Sequence, residues 1–106
     1  MPFDASPVES EVVTVLKKAR ALIDSPEKWC KRALERNGAY CALGAMNFAA
    51  TGDVFGDNGG ASRVLMNAVG EATEGWVASW NNAPERTHAE VMEAFDKAII
   101  LAGGTP

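Results

Sequence analysis

Apolar residues recur at helical rather than strand spacing along most of the chain. Val8, Val12, Leu16, Ala19 and Ile23 fall three or four positions apart, and Val15 and Leu22 widen the stripe, as in a helix that buries one face. Ser6-Pro7-Val8-Glu9 supplies its start: a serine cap, proline at the first helical position and a glutamate placed to close a capping box. Asp24-Ser25-Pro26 stops this helix, because the proline ring disfavours helical geometry at Ser25, and sets a second serine cap before a second helix. That helix is expected to carry Trp29, Cys30, Ala33 and Leu34 on its apolar side and to end in left-handed fashion at Asn37-Gly38.

Residues 40–50, YCALGAMNFAA, follow a different pattern. After Tyr40 the one strongly polar side chain is Asn47. A helix apolar all round is a buried one, so this stretch reads as the central helix of the domain. Its small residues, Cys41, Ala42, Gly44, Ala45, Ala49 and Ala50, allow neighbours to approach closely. Asn47 then requires partners, since an unpaired buried amide is costly.

Four glycines in residues 51–60 mark a loop. Helical spacing resumes at Ala61 and runs through Val64, Leu65, Ala68 and Val69, with a break expected between Gly70 and Gly75. Trp76, Val77 and Trp80 fit a short helix. The last helix has Thr87 as cap and Glu90 closing a capping box, a buried stripe of Val91, Phe95, Ala98, Ile99 and Ala102, and a favourable pair in Glu93 and Lys97. Gly103-Gly104 ends it. The predicted fold is all-α: one domain over residues 1–106, a compact bundle of about five helices around a buried small-residue central helix.

Composition narrows the class. A length of 106 residues suffices for one core without staples. No apolar run approaches the roughly 18 residues that span a bilayer, so no membrane segment is expected. The opening Met-Pro-Phe-Asp-Ala-Ser-Pro has no basic stretch followed by an apolar one, which predicts a cytoplasmic chain rather than a secreted one. In that compartment Cys30 and Cys41 are expected as reduced thiols. The net charge of −4 argues against nucleic-acid binding, which needs a basic footprint. Charge is unevenly spread, however. Residues 17–36 hold seven of the ten basic side chains, Lys17, Lys18, Arg20, Lys28, Lys31, Arg32 and Arg36, against three acidic ones. The plain reading is a solvated face; the sharper one is a site for a phosphate-bearing ligand or an acidic partner.

Candidate chemistry is sparse. Cys41 near a helix start, with His88 and Asn81 or Asn82, permits a cysteine-hydrolase arrangement on paper. The local signatures of such enzymes are missing, and Cys41 sits among alanines, where cysteine behaves as a small hydrophobe. Cys30, Cys41 and His88 have no zinc-binding spacing. The Asp53 to Gly59 stretch lacks the third-position oxygen of a calcium loop, and Val64 stands where its closing glutamate belongs. The glycines fit no phosphate-binding fingerprint. No metal and no cofactor is therefore expected. What remains is the 79–91 stretch, SWNNAPERTHAEV. It groups Trp80, Asn81, Asn82, Arg86 and His88 at one corner, an aromatic surface with polar groups beside it. Arg86 is its natural anion binder. The simplest role for His88 is to cover Met92, and for Trp29, Trp76 and Trp80 to fill the core.

Three segments together resemble an uncharacterised domain-of-unknown-function family of short helical proteins from bacteria and their phages. They are Leu22-Ile23 with Pro26 and Trp29; Cys41-Ala42-Leu43-Gly44-Ala45; and Trp80-Asn81-Asn82-Ala83-Pro84 with Arg86-Thr87, Glu90-Val91, Phe95-Asp96 and Ala98-Ile99. The resemblance spans about 16–102. Where that pattern often has aspartate, this chain has Asn82. The resemblance implies a compact helical fold and one cytoplasmic domain, and carries no established activity.

The leading functional expectation is a non-catalytic binding or protein-interaction module. It would hold a small anionic ligand or a protein partner with Trp29, Trp80, Asn81, Asn82, Arg86 and His88, in one version in a phage-related role. The alternatives are a small cysteine-dependent enzyme using Cys41 and His88, and a homodimer without ligand.

Overall fold

A computed structural model describes residues 10–70 and 77–105. Among them are five α-helices and one two-stranded hairpin: α1 (Glu11–Leu22), β1 (Glu35–Arg36), β2 (Ala39–Tyr40), α2 (Ala42–Thr51), α3 (Ala61–Ala68), α4 (Val77–Asn82) and α5 (His88–Leu101). Helix α1 packs on α2 and α5, and α3 packs on α5. The expected all-α bundle is what the chain forms, with the hairpin as an addition. No described helix is long and apolar enough to cross a membrane.

Of the stripe expected on α1, Leu16, Ala19 and Ile23 are buried, while Val12 is only partly covered and Val13 takes the buried position in the first turn; Val8 lies outside the described residues. Its cap is Ser10, whose hydroxyl accepts from the Val13 amide at 3.2 Å. The start expected at Ser6 lies outside the described residues. Arg20 on α1 holds Asp96 on α5 with both prongs of its guanidinium, Nε to Oδ1 at 2.7 Å and Nη2 to Oδ2 at 3.4 Å.

The helix expected after Pro26 does not form. Ser25 and Pro26 open only a three-residue 3-10 turn (Pro26–Lys28), and Trp29 is already extended at φ −112°, ψ 139°. Arg32 then takes a left-handed φ of 67°, which no helix continues through. Asn37 and Gly38 also have positive φ, 51° and 86°. Two such residues in succession make the type I′ turn whose twist matches a hairpin, rather than the helix end expected there. The turn joins β1 to β2 in the register Glu35 with Tyr40 and Arg36 with Ala39.

Helix α2 is the buried central helix. Ala42, Gly44, Ala45, Met46 and Asn47 are buried, although Ala50 faces solvent. Gly44 is where the hairpin comes closest: a β-carbon there would collide with the Leu34 carbonyl. Asn47 finds the partners it needs. Its Nδ2 donates to the Val54 carbonyl at 2.8 Å, and its Oδ1 accepts from Asn58 at 2.9 Å. These bonds order the glycine loop, which lies where expected, and Asn58 Oδ1 goes on to accept from the Ser62 amide at the start of α3. Helix α5 carries the capping box of Thr87 and Glu90, the buried Val91, Phe95, Ala98 and Ile99, and the pair of Glu93 with Lys97 at 3.0 Å. Trp76 lies outside the described residues.

Candidate functional site

Asn81 is the organising residue of the corner. It sits near the end of α4, wholly buried, and uses all of its hydrogen-bonding capacity directions inward. Its Oδ1 accepts from Trp29 Nε1 at 2.7 Å and from the Ala42 amide at 3.0 Å. Its Nδ2 donates to the Cys30 carbonyl at 3.0 Å and to Asn82 Oδ1 at 3.1 Å. One amide thereby joins the extended 29–30 segment, the first turn of α2 and its own neighbour. Asn82 serves as the second clamp: its Oδ1 accepts from the Arg32 amide at 2.8 Å. Lys31 completes the seam by donating to the Ala83 carbonyl at 2.8 Å and the Pro84 carbonyl at 3.3 Å.

The basic window and the 80–88 corner are therefore in direct contact through residues 29–32, and the six residues of the expected site divide into two groups. Trp29, Asn81 and Asn82 belong to the seam. His88 lies beside it, its ring 6.2 Å from that of Trp29, and its Nε2 is 2.7 Å from the Ile23 carbonyl. A carbonyl can only accept, so Nε2 carries the proton. Trp80 and Arg86 form the other group. The guanidinium stacks 4.4 Å from the centre of the Trp80 ring. Its Nε donates to the Trp80 carbonyl at 2.9 Å and its Nη1 lies 3.6 Å from Glu90. Together they wall a shallow depression of about 280 Å³, which Glu90 and Glu93 also line. Arg86 is thus engaged by the Trp80 ring, the Trp80 carbonyl and Glu90, while Glu93 on the same rim pairs with Lys97.

Cys41 is 3% exposed and caps α2, its Sγ accepting from the Gly44 amide at 3.3 Å. Burial pushes its pKa above the ordinary thiol value, against the lowering effect of the Gly44 and Leu43 amides. No hydrogen bond joins Cys41 and His88 among the described residues, and no three His, Cys, Asp or Glu side chains there cluster as a metal site.

On the hairpin side of the seam Arg32 and Arg36 are exposed. Lys31 beside them is partly buried, held by the Ala83 and Pro84 carbonyls and 5.6 Å from the centre of the Trp29 ring. The sequence places all three in the basic window, whose sharper reading is a site for a phosphate-bearing ligand or an acidic partner, but it lays them on a helix and not on a hairpin. The available signal was Asn37-Gly38, the dipeptide that most favours a hairpin turn.

The sequence model of a family of unknown function, DUF6197, matches residues 7–101. The chain belongs to DUF6197. No curated protein and no solved structure matches it. For this DUF6197 chain the matched span takes in the whole seam, from Trp29 to the capping box of α5. The segments that carried the resemblance have concrete tasks within it. Trp29, Asn81 and Asn82 clamp the seam, Cys41 and Gly44 seat the hairpin on α2, and Arg86, Thr87 and Glu90 fix the entry to α5.

Proposed function

We propose that this chain is a non-catalytic binding module that presents residues 31–36 to an anionic ligand. The observation that carries the reading is Arg32. It is held at φ 67° with its amide bonded to Asn82 and its guanidinium exposed. Left-handed geometry costs a residue with a side chain about 1–2 kcal/mol, a cost glycine escapes. A strained arginine pinned from below points to a use for its charge. Lys31 and Arg36 add two cations to the same segment against the single carboxylate of Glu35. Meanwhile the corner beneath is saturated by its own hydrogen bonds, so it serves as the foundation of the binding surface and not as the surface itself.

The bonded state of His88 and the buried, protonated thiol of Cys41 weigh against the cysteine-enzyme alternative. A cytoplasmic location is part of this reading, and the family resemblance supports a bacterial or phage setting.

The test is an NMR titration of the chain with pyrophosphate, a nucleoside triphosphate and a glutamate-rich peptide. Salt-sensitive amide shifts confined to residues 30–38, and lost in the double variant Arg32→Gln with Arg36→Gln, are the expected result. Shifts centred on Arg86, or none with any of the three probes, overturn the reading.

A further inference from the structure

We propose that Cys30 and Cys41 are a reversible disulfide site, oxidised by a low-molecular-weight disulfide, that closes the loop bearing the basic segment. The inference stands on backbone register and is independent of whether that segment binds an anion. Trp29 and Tyr40 form a parallel bridge, and the Cys30 amide donates to the Tyr40 carbonyl at 3.1 Å. Trp29 is extended at φ −112°, ψ 139°, and Cys41 at φ −79°, ψ 172°. Cys30 and Cys41 follow the two members of this bridged pair, and the bond of the Cys30 amide holds their backbones together. The pairing stops there, because the Asn81 amide takes the next position between the Cys30 carbonyl and the Ala42 amide. Bridged backbones lie about 4.7–4.9 Å apart, and a disulfide accepts about 4.4–6.8 Å between α-carbons, so a pair one step beyond the bridge is placed to close one with a small backbone movement. After burial, the nearness of Cys41 is a further cause that raises the pKa of Cys30.

Their exposures set the order of events. Cys30 is partly exposed and Cys41 is buried. The Cys30 thiolate attacks one sulfur of the small disulfide, R–S–S–R, forming Cys30–S–S–R and releasing RS⁻, which takes up the proton Cys30 gave up. Cys41 then loses its proton and attacks the Cys30 sulfur, and the second RSH leaves. The two cysteines have lost two protons and two electrons; the small disulfide has gained them as two thiols. Burial raises the pKa of both cysteines, so exchange near neutrality is slow.

The bond has a structural consequence. To reach Cys30, the Cys41 sulfur turns from the Gly44 amide that it now accepts from, and the first turn of α2 loses its cap. The Cys30 thiol leaves the carbonyls of Ala33 and Ala39, at 3.5 and 3.6 Å. Lys31, Arg32 and Arg36 are then enclosed in a covalent ring.

The experiment treats the native full chain with oxidised glutathione, alkylates free thiols and digests without reduction; trypsin cuts at Lys31, Arg32 and Arg36 separate the two cysteines. Expected are a linked peptide pair containing Cys30 and Cys41, an intact mass lower by two hydrogens, reversal by dithiothreitol, and faster hydrogen exchange at the Gly44 amide. In Cys41→Ser the reaction should stop at a glutathione adduct on Cys30. If that variant does not fold, the wild-type peptide map decides alone. A lasting adduct on Cys30 without the linked pair, disulfides only between chains, or linkage only in denaturant overturns the proposal.

Discussion

Trp29 donates its indole hydrogen to the Asn81 side chain at 2.7 Å, across 52 residues of sequence. The bond is made inside a seam where the same Asn81 oxygen also accepts from the first amide of α2. Two stretches that look unrelated along the chain are thus a single built unit.

Replacing Asn81 with alanine strips partners from several buried groups at once. Leaving a buried donor or acceptor unpaired costs about 1–3 kcal/mol, so Asn81→Ala should lose on the order of 3 kcal/mol in urea unfolding. Trp29→Phe removes one donor and leaves Asn81 Oδ1 still bonded to Ala42, and should cost about 1 kcal/mol. In the Asn81→Ala background that second cost should largely vanish, because the two changes break the same bond. Additive losses would mean the bond contributes nothing to stability.

Gly44→Ala sets two effects against each other. Helix propensity alone favours alanine by about 1 kcal/mol. The close approach of the Leu34 carbonyl opposes it, and overpacking of that kind costs about 1–3 kcal/mol. The expected outcome is net destabilisation, with amide shifts of the 34–41 hairpin moved more than those of the far end of α2. A stabilised variant would show that the hairpin yields freely.

Arg32→Gly separates charge from fold. Relieving the left-handed strain should leave stability unchanged or raise it by about 1 kcal/mol, while anion-dependent shifts in residues 30–38 weaken. A marked loss of stability would instead give the Arg32 side chain a structural role.

Acid stability should carry a signature of Glu90. The Thr87 amide, then its hydroxyl and nearby Arg86, hold the Glu90 carboxyl below its ordinary value. The folded state therefore binds this proton less readily than the unfolded one. Its contribution is complete above the ordinary carboxylate value and is lost as pH falls through the depressed folded value. Urea unfolding of the wild type and Glu90→Gln, measured downward from neutral pH, should give stabilities that converge in the acid range. A constant gap at every pH would exclude the linkage.

The elements that could be read from sequence are those whose evidence is local. The cap at Thr87 and most of the stripes of α1 and α5 depend on residues three or four apart, and they appear where expected, with Val13 in place of Val12 on α1 and Ala102 only partly covered. Asn47 announced its need for partners because nothing apolar explains an amide in that run. The 29–41 stretch misled because its apolar residues sit at spacings that a helix also satisfies, while the groups that hold it extended, Asn81 and Asn82, come from far along the chain. The paired amides after Trp80 look redundant in sequence; in the fold one anchors Trp29 and α2 and the other holds the backbone of Arg32. Arg86 was the natural anion binder by residue type, and only its stacking on Trp80 and its contact with Glu90 reveal that its charge is already engaged.

The seam also bears on how the chain is made. Asn81 leaves the ribosome 52 residues after Trp29, so during synthesis the segment that becomes the hairpin waits without the amides that secure it. Closing so long a loop is slow compared with forming the turns of α1 or α2. The nascent hairpin, with its cysteines and basic side chains, therefore stays without these clamps until residue 81 has been added.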